Sequence, residues 1–486
     1  MAYVLGIDLG TTSLQGVLVD PQGRQHASAE RPYPLLTPRP GWSEQEPVAW
    51  YQALCEVSRE LLAAAEGQEL LGVALAGQMH GLVAVNGAGE PVHNAILWND
   101  QRTAAQAARL SGAVGEAELI RLTGNPAVTG FQLPKLLWLR EHEPGAFERT
   151  QQVLLPKDWL AFRLTGNFAT EPSDAAGTGC FDLQRGDWAE SILDAVGIDR
   201  SLFPQVHASH DLIGTIHAEA SAATGLPAGT PVFAGAGDNA AANIGLGLGS
   251  HRPERGSLSL GTSGVVFMPH LKPEPDPQGR VHLFAHADQA WCLLGVTLAA
   301  GGSIAWFRDR FLAGQDFGQL NRLAVQAPSG SAGVSFHPYL AGERSPWLDP
   351  GLRGSFTGLS LASGLPELAR AVLEGVAFSL RDVLDVFREQ LEVSQLLVTG
   401  GGASSELLLQ IAASALEVEL QVVAGGTGAA YGSALLALQG LKLTDAAASA
   451  ARVSLSSRMT PQPDAQLEDM RQRYVAVRRQ LHQSGS

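Results

Sequence analysis

The chain has 486 residues, too many for a single hydrophobic core, so we expect two domains. Its 45% hydrophobic and 17% charged residues are typical of a folded globular protein, and its net charge of −15 argues against nucleic acid or an anionic membrane as partner. The three cysteines are far apart in sequence, which predicts no disulfide framework. The N-terminus does not resemble a signal segment, and no apolar run approaches the roughly 20 residues of a membrane span. We therefore expect a cytoplasmic protein.

The first predicted elements are two buried strands, "YVLGI" and "GVLV", on either side of the turn "DLGTTS". A hairpin rich in Gly, Thr and Ser offers backbone N–H groups and hydroxyls that bind phosphate without lysine, although an ordinary polar turn is the alternative. Asp8 ends the first strand. A Mg²⁺ ion carrying ATP would offset the cost of burying this carboxylate, or Asp8 accepts neighbouring N–H groups in an Asx turn.

Helix-like and strand-like segments then alternate, as in "VAWYQALCEVSRELLAAA" followed by "LGVALAG", which indicates an α/β fold. The glycine-rich stretch "TPVFAGAGDNAAANIGLGLGSHRPERGSLSLGTSG" predicts a domain junction, and we place the two domains at 1–246 and 247–486. Just after it, "LGTS" repeats the "LGTT" of the first turn. We therefore expect a duplicated domain, with a triphosphate held between two similar turns that face each other across a cleft.

The junction itself has two interpretations. Gly235, Gly237 and Ala240 match the G-x-G-x-x-A fingerprint of nicotinamide-dependent dehydrogenases, although Asp238 would repel a pyrophosphate there. Alternatively, Asp238 is a general base that takes a proton from a substrate hydroxyl as the phosphoryl group arrives. Asp238 could also cap the helix that follows, and that role is compatible with catalysis.

Three glycine-rich loops punctuate the second half: "TLAAGGSIAWF", "VTGGGASSE" and "VVAGGTGAAYG". Glycines at such strand-to-helix turns allow the backbone to approach a ligand closely, although tight turns of this kind are common in α/β folds. The loops favour the second half as the part that carries a nucleotide.

Motifs along nearly the whole chain resemble the FGGY family of carbohydrate kinases, among them "GIDLGTTS", "AGQMHG", "AILWNDQR", "SDAAGTG", "GAGDNAA", "LSLGTSGV", "PYLAGERSP" and "TGGGASSE". The resemblance implies an α/β fold of two duplicated ribonuclease-H-like (actin-like ATPase) domains with a cleft between them, the first binding sugar and the second nucleotide. It implies ATP and Mg²⁺ as cofactors and conversion of D-xylulose to D-xylulose 5-phosphate. Another ketose or polyol, a nicotinamide-dependent dehydrogenase and a sugar-independent actin-like ATPase stay as alternatives, and a homodimer stays open.

The resemblance also implies roles for individual residues. Asp238 is the general base, and Asp8 holds Mg²⁺ through water. The sugar-binding residues are Met79, His80, Trp98, Asn99, Asp100, Asp238 and Asn239. The ATP-binding residues are Thr11, Thr12, Ser13, Gly261, Thr262, Gly301, Gly302, Gly401, Gly402 and Ala403. Without the family, His80 would be interpreted as a buried histidine with satisfied hydrogen bonds and Met79 as part of the core.

Overall fold

The structure is a computed structural model that describes residues 2–65, 67–313, 315–425, 428–445 and 453–484. The strands of its N-terminal half are β1 (Ala2–Leu9), β2 (Ser13–Val19), β3 (Gln25–Pro32), β4 (Glu44–Gln45), β5 (Glu69–Gly77), β6 (Val83–Val85), β7 (Ala95–Ile96), β8 (Gln152–Leu154), β9 (Ala169–Thr170), β10 (Phe181–Asp182), β11 (Asp187–Trp188), β12 (Gln205–Val206), β13 (Leu212–Thr215) and β14 (Pro231–Gly237). Its helices are α1 (Pro47–Ala64), α2 (Ala104–Val114), α3 (Glu116–Thr123), α4 (Gln132–His142), α5 (Pro144–Arg149), α6 (Pro156–Thr165), α7 (Pro172–Ala175), α8 (Glu190–Val196), α9 (Ala218–Thr224) and α10 (Asp238–Gly245).

The C-terminal half begins at β15. Its strands are β15 (Arg255–Leu260), β16 (Gly264–His270), β17 (His282–Ala285), β18 (Trp291–Thr297), β19 (Ser335–His337), β20 (Ser355–Thr357), β21 (Gln395–Thr399), β22 (Glu419–Val423) and β23 (Leu455–Met459). Its helices are α11 (Gly301–Phe311), α12 (Phe317–Ala324), α13 (Leu365–Arg388), α14 (Glu406–Leu416), α15 (Ala429–Gly440) and α16 (Ala465–Ser484), with a short 3₁₀ helix at Gly401–Ser404.

Each half is built on one twisted sheet, and the two sheets share a topology. The first has the order β13-β14-β5-β1-β2-β3, in which β1, β5 and β14 are parallel and the other three are antiparallel to their neighbours. The second has the order β23-β22-β21-β15-β16-β18-β17, in which β15, β21 and β22 are parallel. The second sheet repeats the pattern of the first and adds β17 at one edge, which is the arrangement expected of a duplicated domain.

The two halves meet where α10 and α15 cross. These helices follow the corresponding parallel strands β14 and β22, and the crossing is very close because a Cβ on Gly432 would lie 1.7 Å from the carbonyl oxygen of Ala241. Helix α15 also packs on the first sheet, since a Cβ on Gly6 would lie 2.0 Å from the carbonyl oxygen of Ala430. The C-terminal half therefore contributes a helix to the core of the N-terminal half, and the boundary at 246/247 stays a prediction.

Hydrophobic burial holds each layer in place. Strands β1 and β5 are buried on both faces, as their continuous apolar runs predict. Helix α13 is the long central helix of the second half and buries residues along most of its length against the second sheet. Among the described residues, no helix combines the length and the apolar character that a membrane span requires.

Candidate active site

A cavity of about 850 Å³ opens between the two halves. The residues that line it from the N-terminal half include Thr11, Met79, His80, Trp98, Asn99, Phe131, Asp238 and Asn239. Those from the C-terminal half include Ser263, Val265, Phe284, Val296, Leu298, Glu343 and Arg344. Six of the seven predicted sugar-binding residues therefore come together at one cavity wall, and the seventh, Asp100, does not line it.

Asp8 and Asp238 lie at the carboxyl ends of β1 and β14, on either side of β5. Burial raises the pKa of Asp8 to about 7, with a further contribution from the charge of Asp238, and Asp8 Oδ1 is buried with no hydrogen-bond partner among the described residues. Burial likewise raises the pKa of Asp238 to about 6, partly offset by hydrogen bonds from Asn239. An orphaned buried carboxylate oxygen fits a cation or a cation-bound water.

Asp238 is the first residue of α10, and Gly237 occupies the N-cap position. Asp238 Oδ1 accepts the backbone N–H of Asn239 at 2.7 Å and its side-chain amide at 3.1 Å. The backbone N–H of Gly237 donates to Ser173 Oγ at 3.0 Å, and Ser173 Oγ donates to Glu171 Oε1 at 2.9 Å. These contacts fix the start of α10, and with it Asp238, through residues that sequence reasoning did not select.

The backbone carbonyl groups of the first glycine-threonine turn are held by hydrogen bonds from neighbouring residues. The hydroxyl of Tyr33 donates to the carbonyls of Gly10 and Ser13, and Gln45 Nε2 donates to the carbonyl of Thr11 at 2.7 Å. The carbonyl of Thr12 accepts the N–H of Tyr33 at 3.2 Å. Because the described residues offer no acceptor to the backbone amides of Thr11 and Thr12, these N–H groups stay available for phosphate oxygens.

The second turn is held in a similar way by the start of α11. The carbonyl of Gly261 accepts the N–H of Gly301 at 3.0 Å, and the carbonyl of Thr262 accepts the N–H groups of Ala300 and Gly302 at 3.0 and 2.9 Å. A Cβ on Gly301 would lie 2.4 Å from the Gly261 carbonyl oxygen. The glycines at the start of α11 therefore have a packing reason in addition to the predicted approach to nucleotide.

Gly401 and Gly402 of the loop "VTGGGASSE" have different surroundings. A Cβ on Gly402 would lie 2.7 Å from Cβ of Leu260, which ends the strand before the second turn, whereas a Cβ on Gly401 would meet open space. Gly401 is exposed and Ala403 half-buried. No described residue lies close enough to require glycine at position 401, which is consistent with a ligand approaching that backbone.

His80 is prepared as a neutral hydrogen-bond acceptor. Its Nδ1 lies 2.7 Å from the carbonyl oxygen of Gly177, and since a carbonyl only accepts, Nδ1 carries the proton and Nε2 keeps its lone pair. Burial lowers the pKa of His80 to about 3. The ring stacks on Phe131 at 4.8 Å, and Lys135 Nζ donates to the His80 carbonyl at 2.8 Å, which holds its backbone at a φ of 70°.

The "LWND" segment divides into residues that face the cavity and one that supports it. Trp98 is 42% exposed, and its Nε1 donates to Thr11 Oγ1 at 3.0 Å, which links the cavity wall to the first turn. Asn99 Oδ1 is buried without a partner among the described residues. Asp100 is fully buried, accepts the N–H of Ser43 at 2.6 Å and forms a bidentate ion pair with Arg102. It positions the segment and does not face the cavity.

Sequence reasoning missed Glu343 and Arg344, although both lie in the motif "PYLAGERSP". Burial raises the pKa of Glu343 to about 7, and its Oε1 accepts the backbone N–H groups of Leu298 and Arg344, both at 2.8 Å. The only available signal was a pair of charged residues in a loop rich in glycine and proline. Nothing local in the sequence shows that this loop returns to the cavity.

The dinucleotide fingerprint has a structural explanation that needs no ligand. Gly235 has a φ of +77°, and a Cβ there would lie 1.8 Å from the carbonyl oxygen of Leu75 on the neighbouring strand. A Cβ on Gly237 would lie 2.9 Å from Met79 Cγ. The glycines allow β14 to pack against β5 and against the cavity wall.

Two sheets of one topology, each with a glycine-threonine turn at the head of its half, define a two-domain phosphotransferase of the actin-like ATPase type. The chain belongs to the FGGY family of carbohydrate kinases: residues 3–245 match the family's N-terminal domain and residues 256–441 its C-terminal domain. The family assignment and the fold class predicted from the motifs are thereby confirmed, and the dehydrogenase interpretation is wrong.

Named relatives agree with this assignment. The chain is 41% identical over 452 residues to the xylulose kinase of Lactococcus lactis, covering 92% of this chain and 89% of that one. It is similar to the crystal structure of a xyloylose kinase from Brucella ovis, with a TM-score of 0.93 and 34% identity over 99% of both chains. A gluconate kinase from Lactobacillus acidophilus has the same TM-score at 28% identity, covering 99% of this chain and 98% of that one.

Proposed function

We propose that this chain transfers the γ-phosphoryl group of ATP to the terminal hydroxyl of D-xylulose, giving D-xylulose 5-phosphate. The observation that carries the proposal is the position of Asp238, a half-buried carboxylate at the wall of the cavity that lies between the two glycine-threonine turns. The similarity to proteins named xylulose kinase, over nine-tenths of the chain, supports this choice of sugar.

Asp238 acts as the general base. The terminal hydroxyl of the sugar lies beside its carboxylate, which accepts the hydroxyl proton while the oxygen–phosphorus bond forms and the bond from phosphorus to the leaving ADP oxygen breaks. His80 Nε2 accepts a hydrogen bond from a sugar hydroxyl, and the side-chain amides of Asn99 and Asn239 form further hydrogen bonds with the sugar. Because a phosphoryl transition state of this kind is loose, alignment contributes most of the rate and proton removal comes late.

ATP binds with its phosphates between the two turns. The free N–H groups of Thr11 and Thr12 face it from one half, and the turn at Gly261 and Thr262 faces it from the other. Asp8 would hold Mg²⁺ through water, since its Oδ1 lacks any partner among the described residues. When bound, the ion neutralises charge on the phosphate oxygens. No cluster of three or more His, Cys, Asp or Glu side chains suited to a metal occurs in the described ranges, so ATP itself would supply ligands.

The two substrates bind mainly to different halves of the protein. Residues 1–246 bind the sugar and residues 247–486 bind most of the nucleotide, with α10 and α15 as the crossing about which they move. Closure removes water from the cavity, so that the sugar and not water receives the phosphoryl group.

An ADP-release assay with a panel of sugars tests the proposal. The panel contains D-xylulose, L-ribulose, gluconate and glycerol, with a sugar-free sample to detect an ATPase that ignores sugar. We expect the highest kcat/KM with D-xylulose and a product phosphorylated at the terminal carbon, identified by NMR. Equal or faster turnover of another compound would overturn the choice of sugar and leave the family assignment intact.

A further inference from the structure

The strand that leads to Asp238 contains a bulge. Phe233 of β14 pairs with Ala74 of β5, but Ala236 pairs with Ala76. Between these two pairs β14 therefore has one more residue than β5. An extra residue of this kind turns the side chains after it to the other face of the strand. Because Asp238 directly follows β14, the bulge affects the direction in which its carboxylate points.

Two hydrogen bonds hold the backbone of this bulge. The N–H of Gly235, whose φ of +77° marks the bulge, donates to the carbonyl oxygen of Ser209 at 2.9 Å. The N–H of Gly237 donates to Oγ of Ser173 at 3.0 Å. Ser209 lies in the turn before β13, whereas Ser173 belongs to α7, so two segments that are distant in sequence hold the last three residues of β14.

One carboxylate joins these two segments. Glu171 Oε2 accepts the hydroxyl of Ser209 at 2.8 Å, and Glu171 Oε1 accepts the hydroxyl of Ser173 at 2.9 Å. The two oxygens also accept the backbone N–H groups of Ser173 and Asp174, both at 2.9 Å. We call Glu171, Ser173 and Ser209 the Glu171 cluster, and all three residues are buried.

The Glu171 cluster is a rigid support and not part of the cavity wall. A buried carboxylate is costly unless it is paired and hydrogen-bonded, and Glu171 has both, since Nζ of the fully buried Lys157 lies 3.6 Å from its Oε1. A fully satisfied buried network of this kind rigidifies the backbone that it holds. None of the described residues that line the cavity belongs to the cluster. Any effect of the cluster on the reaction must therefore pass through the residues that it holds.

We propose that Glu171 and Ser173 are positioning residues, which hold the bulge of β14 in the conformation that directs the carboxylate of Asp238 into the cavity. This inference rests on the proposed function, in which Asp238 is the general base. It also gives a role to the motif "SDAAGTG", which begins at Ser173 and which the proposed function leaves unused. A base must lie within hydrogen-bond reach of the hydroxyl, and a displacement of about 1 Å can lower a rate about 100-fold.

Kinetics and calorimetric sugar binding on the full-length protein test the proposal. Ser173→Ala removes the acceptor of the Gly237 N–H and one donor to Glu171, whereas Ser173→Thr keeps the hydroxyl. Ser58→Ala is the control, because it removes an equally buried hydroxyl from α1, outside the cluster. We expect Ser173→Ala to lower kcat about 10-fold to 100-fold, with little change in the Kd for D-xylulose or the KM for ATP. Ser173→Thr should recover most of the rate, and Ser58→Ala should match the unsubstituted protein.

A double variant separates positioning of Asp238 from a general effect on the fold. The Asp238→Asn protein has no carboxylate to position, so adding Ser173→Ala should lower its remaining kcat little further. If Ser173→Ala lowers kcat as much in this protein as in the unsubstituted one, Ser173 acts independently of Asp238 and the proposal is wrong. Unchanged kcat in Ser173→Ala alone would also refute it, as would a loss of sugar binding together with kcat.

The two proposals can fail separately. If Asp238→Asn keeps near-normal turnover, the general base is wrong and this inference falls with it. If Asp238→Asn loses turnover but Ser173→Ala keeps it, only this inference is wrong. Should Ser173→Ala not fold, as judged by circular dichroism, Ser209→Ala takes its place, with a smaller loss of kcat expected because the Ser209 carbonyl still binds the bulge. If the panel identifies another sugar, that sugar replaces D-xylulose in these measurements.

Discussion

Asp8 and Asp238 lie on either side of the end of β5, because Asp8 pairs with Ala76 on one side and Gly237, the residue before Asp238, pairs with Gly77 on the other. The charge of Asp238 contributes to raising the pKa of Asp8. Two carboxylates in such a place are not readily ionised together without a cation. Binding of magnesium-loaded ATP at Asp8 would relieve this repulsion and leave Asp238 ionised to act as the base.

Asp238→Asn should abolish most of the catalysis and leave sugar binding. Asparagine keeps the shape of the side chain and still accepts the N–H of Asn239, but it cannot take a proton. General-base catalysis typically contributes about 10² to 10⁴ in rate, so kcat should fall by that order while the Kd for sugar changes little. Turnover measured beside calorimetric sugar binding checks both.

The same variant separates the catalytic and the structural role. If Asp238 only stabilises the start of α10, asparagine would replace it at almost no cost, because the two residues cap helices about equally well. Near-normal turnover would therefore refute the general base. Loss of sugar binding together with turnover would show that Asp238 mainly holds the sugar.

The pH dependence of the reaction should report the buried base. Burial raises the pKa of Asp238 to about 6, and the base works only when it is ionised. At saturating ATP and Mg²⁺, kcat/KM for the sugar should be constant above about pH 7 and fall by about tenfold per pH unit below pH 6. A profile that stays flat down to pH 4.5 would contradict the raised pKa. Ionisation of His80 should not affect the profile in this pH range, because burial lowers the pKa of His80 to about 3.

The two turns, the first strand and the position of Asp238 after β14 could be predicted from local sequence, because each depends on an apolar run followed by a short turn. Arg344 could not, since its loop is joined to β18 by Glu343 and reaches residues from the other half. Asp100 could not be separated from Asn99 either, because only the fold shows that Arg102 and Ser43 enclose its carboxylate.

The roles of individual glycines also could not be predicted from the sequence. The sequence shows that positions 301, 401 and 432 lack side chains, but it does not show what occupies the space. Gly301 packs on the second turn, Gly432 allows α10 and α15 to cross, and Gly401 faces open space. Long-range packing decides between these roles, and no local pattern encodes it.

Asp8→Asn should stabilise the ligand-free protein at high pH. Because the folded-state pKa of Asp8 is raised to about 7 from an ordinary 3.8, the folded state is penalised once pH rises above the ordinary value, and the full penalty is present above pH 7. Removing the charge should raise the free energy of unfolding by about 1–3 kcal/mol at pH 8 and by nothing near pH 4.

Thermal unfolding at pH 4, 6 and 8, without nucleotide or Mg²⁺, measures this difference. Asp194→Asn serves as control, since it makes the same substitution at an exposed position of α8. The control should show no comparable gain at pH 8. An Asp8→Asn variant that is equally stable or less stable than the unsubstituted protein at pH 8 would show that Asp8 is not penalised in the folded state.

The two halves should close when both substrates bind. The proposed sugar contacts come mostly from the N-terminal half, whereas the second turn belongs to the other half, so simultaneous contact with both substrates requires the cavity to narrow. Small-angle scattering should show a smaller radius of gyration with D-xylulose plus a non-hydrolysable ATP analogue than with neither. An unchanged radius would argue against closure about the α10–α15 crossing.

The two glycine loops of the second half should respond differently to alanine. In Gly301→Ala the new Cβ would lie 2.4 Å from the Gly261 carbonyl oxygen, a backbone atom that can move only if α11 and the second turn separate. We expect this variant to lose thermal stability and to raise the KM for ATP.

In Gly401→Ala the Cβ meets open space, so thermal stability should stay normal, and any rise in the KM for ATP must come from a clash with the nucleotide itself. Measuring the melting temperature and the KM for ATP of both variants separates a packing role from nucleotide contact. A Gly401→Ala protein with normal stability and normal ATP kinetics would remove Gly401 from the ATP site, and a fully normal Gly301→Ala protein would refute the close packing of α11 on the second turn.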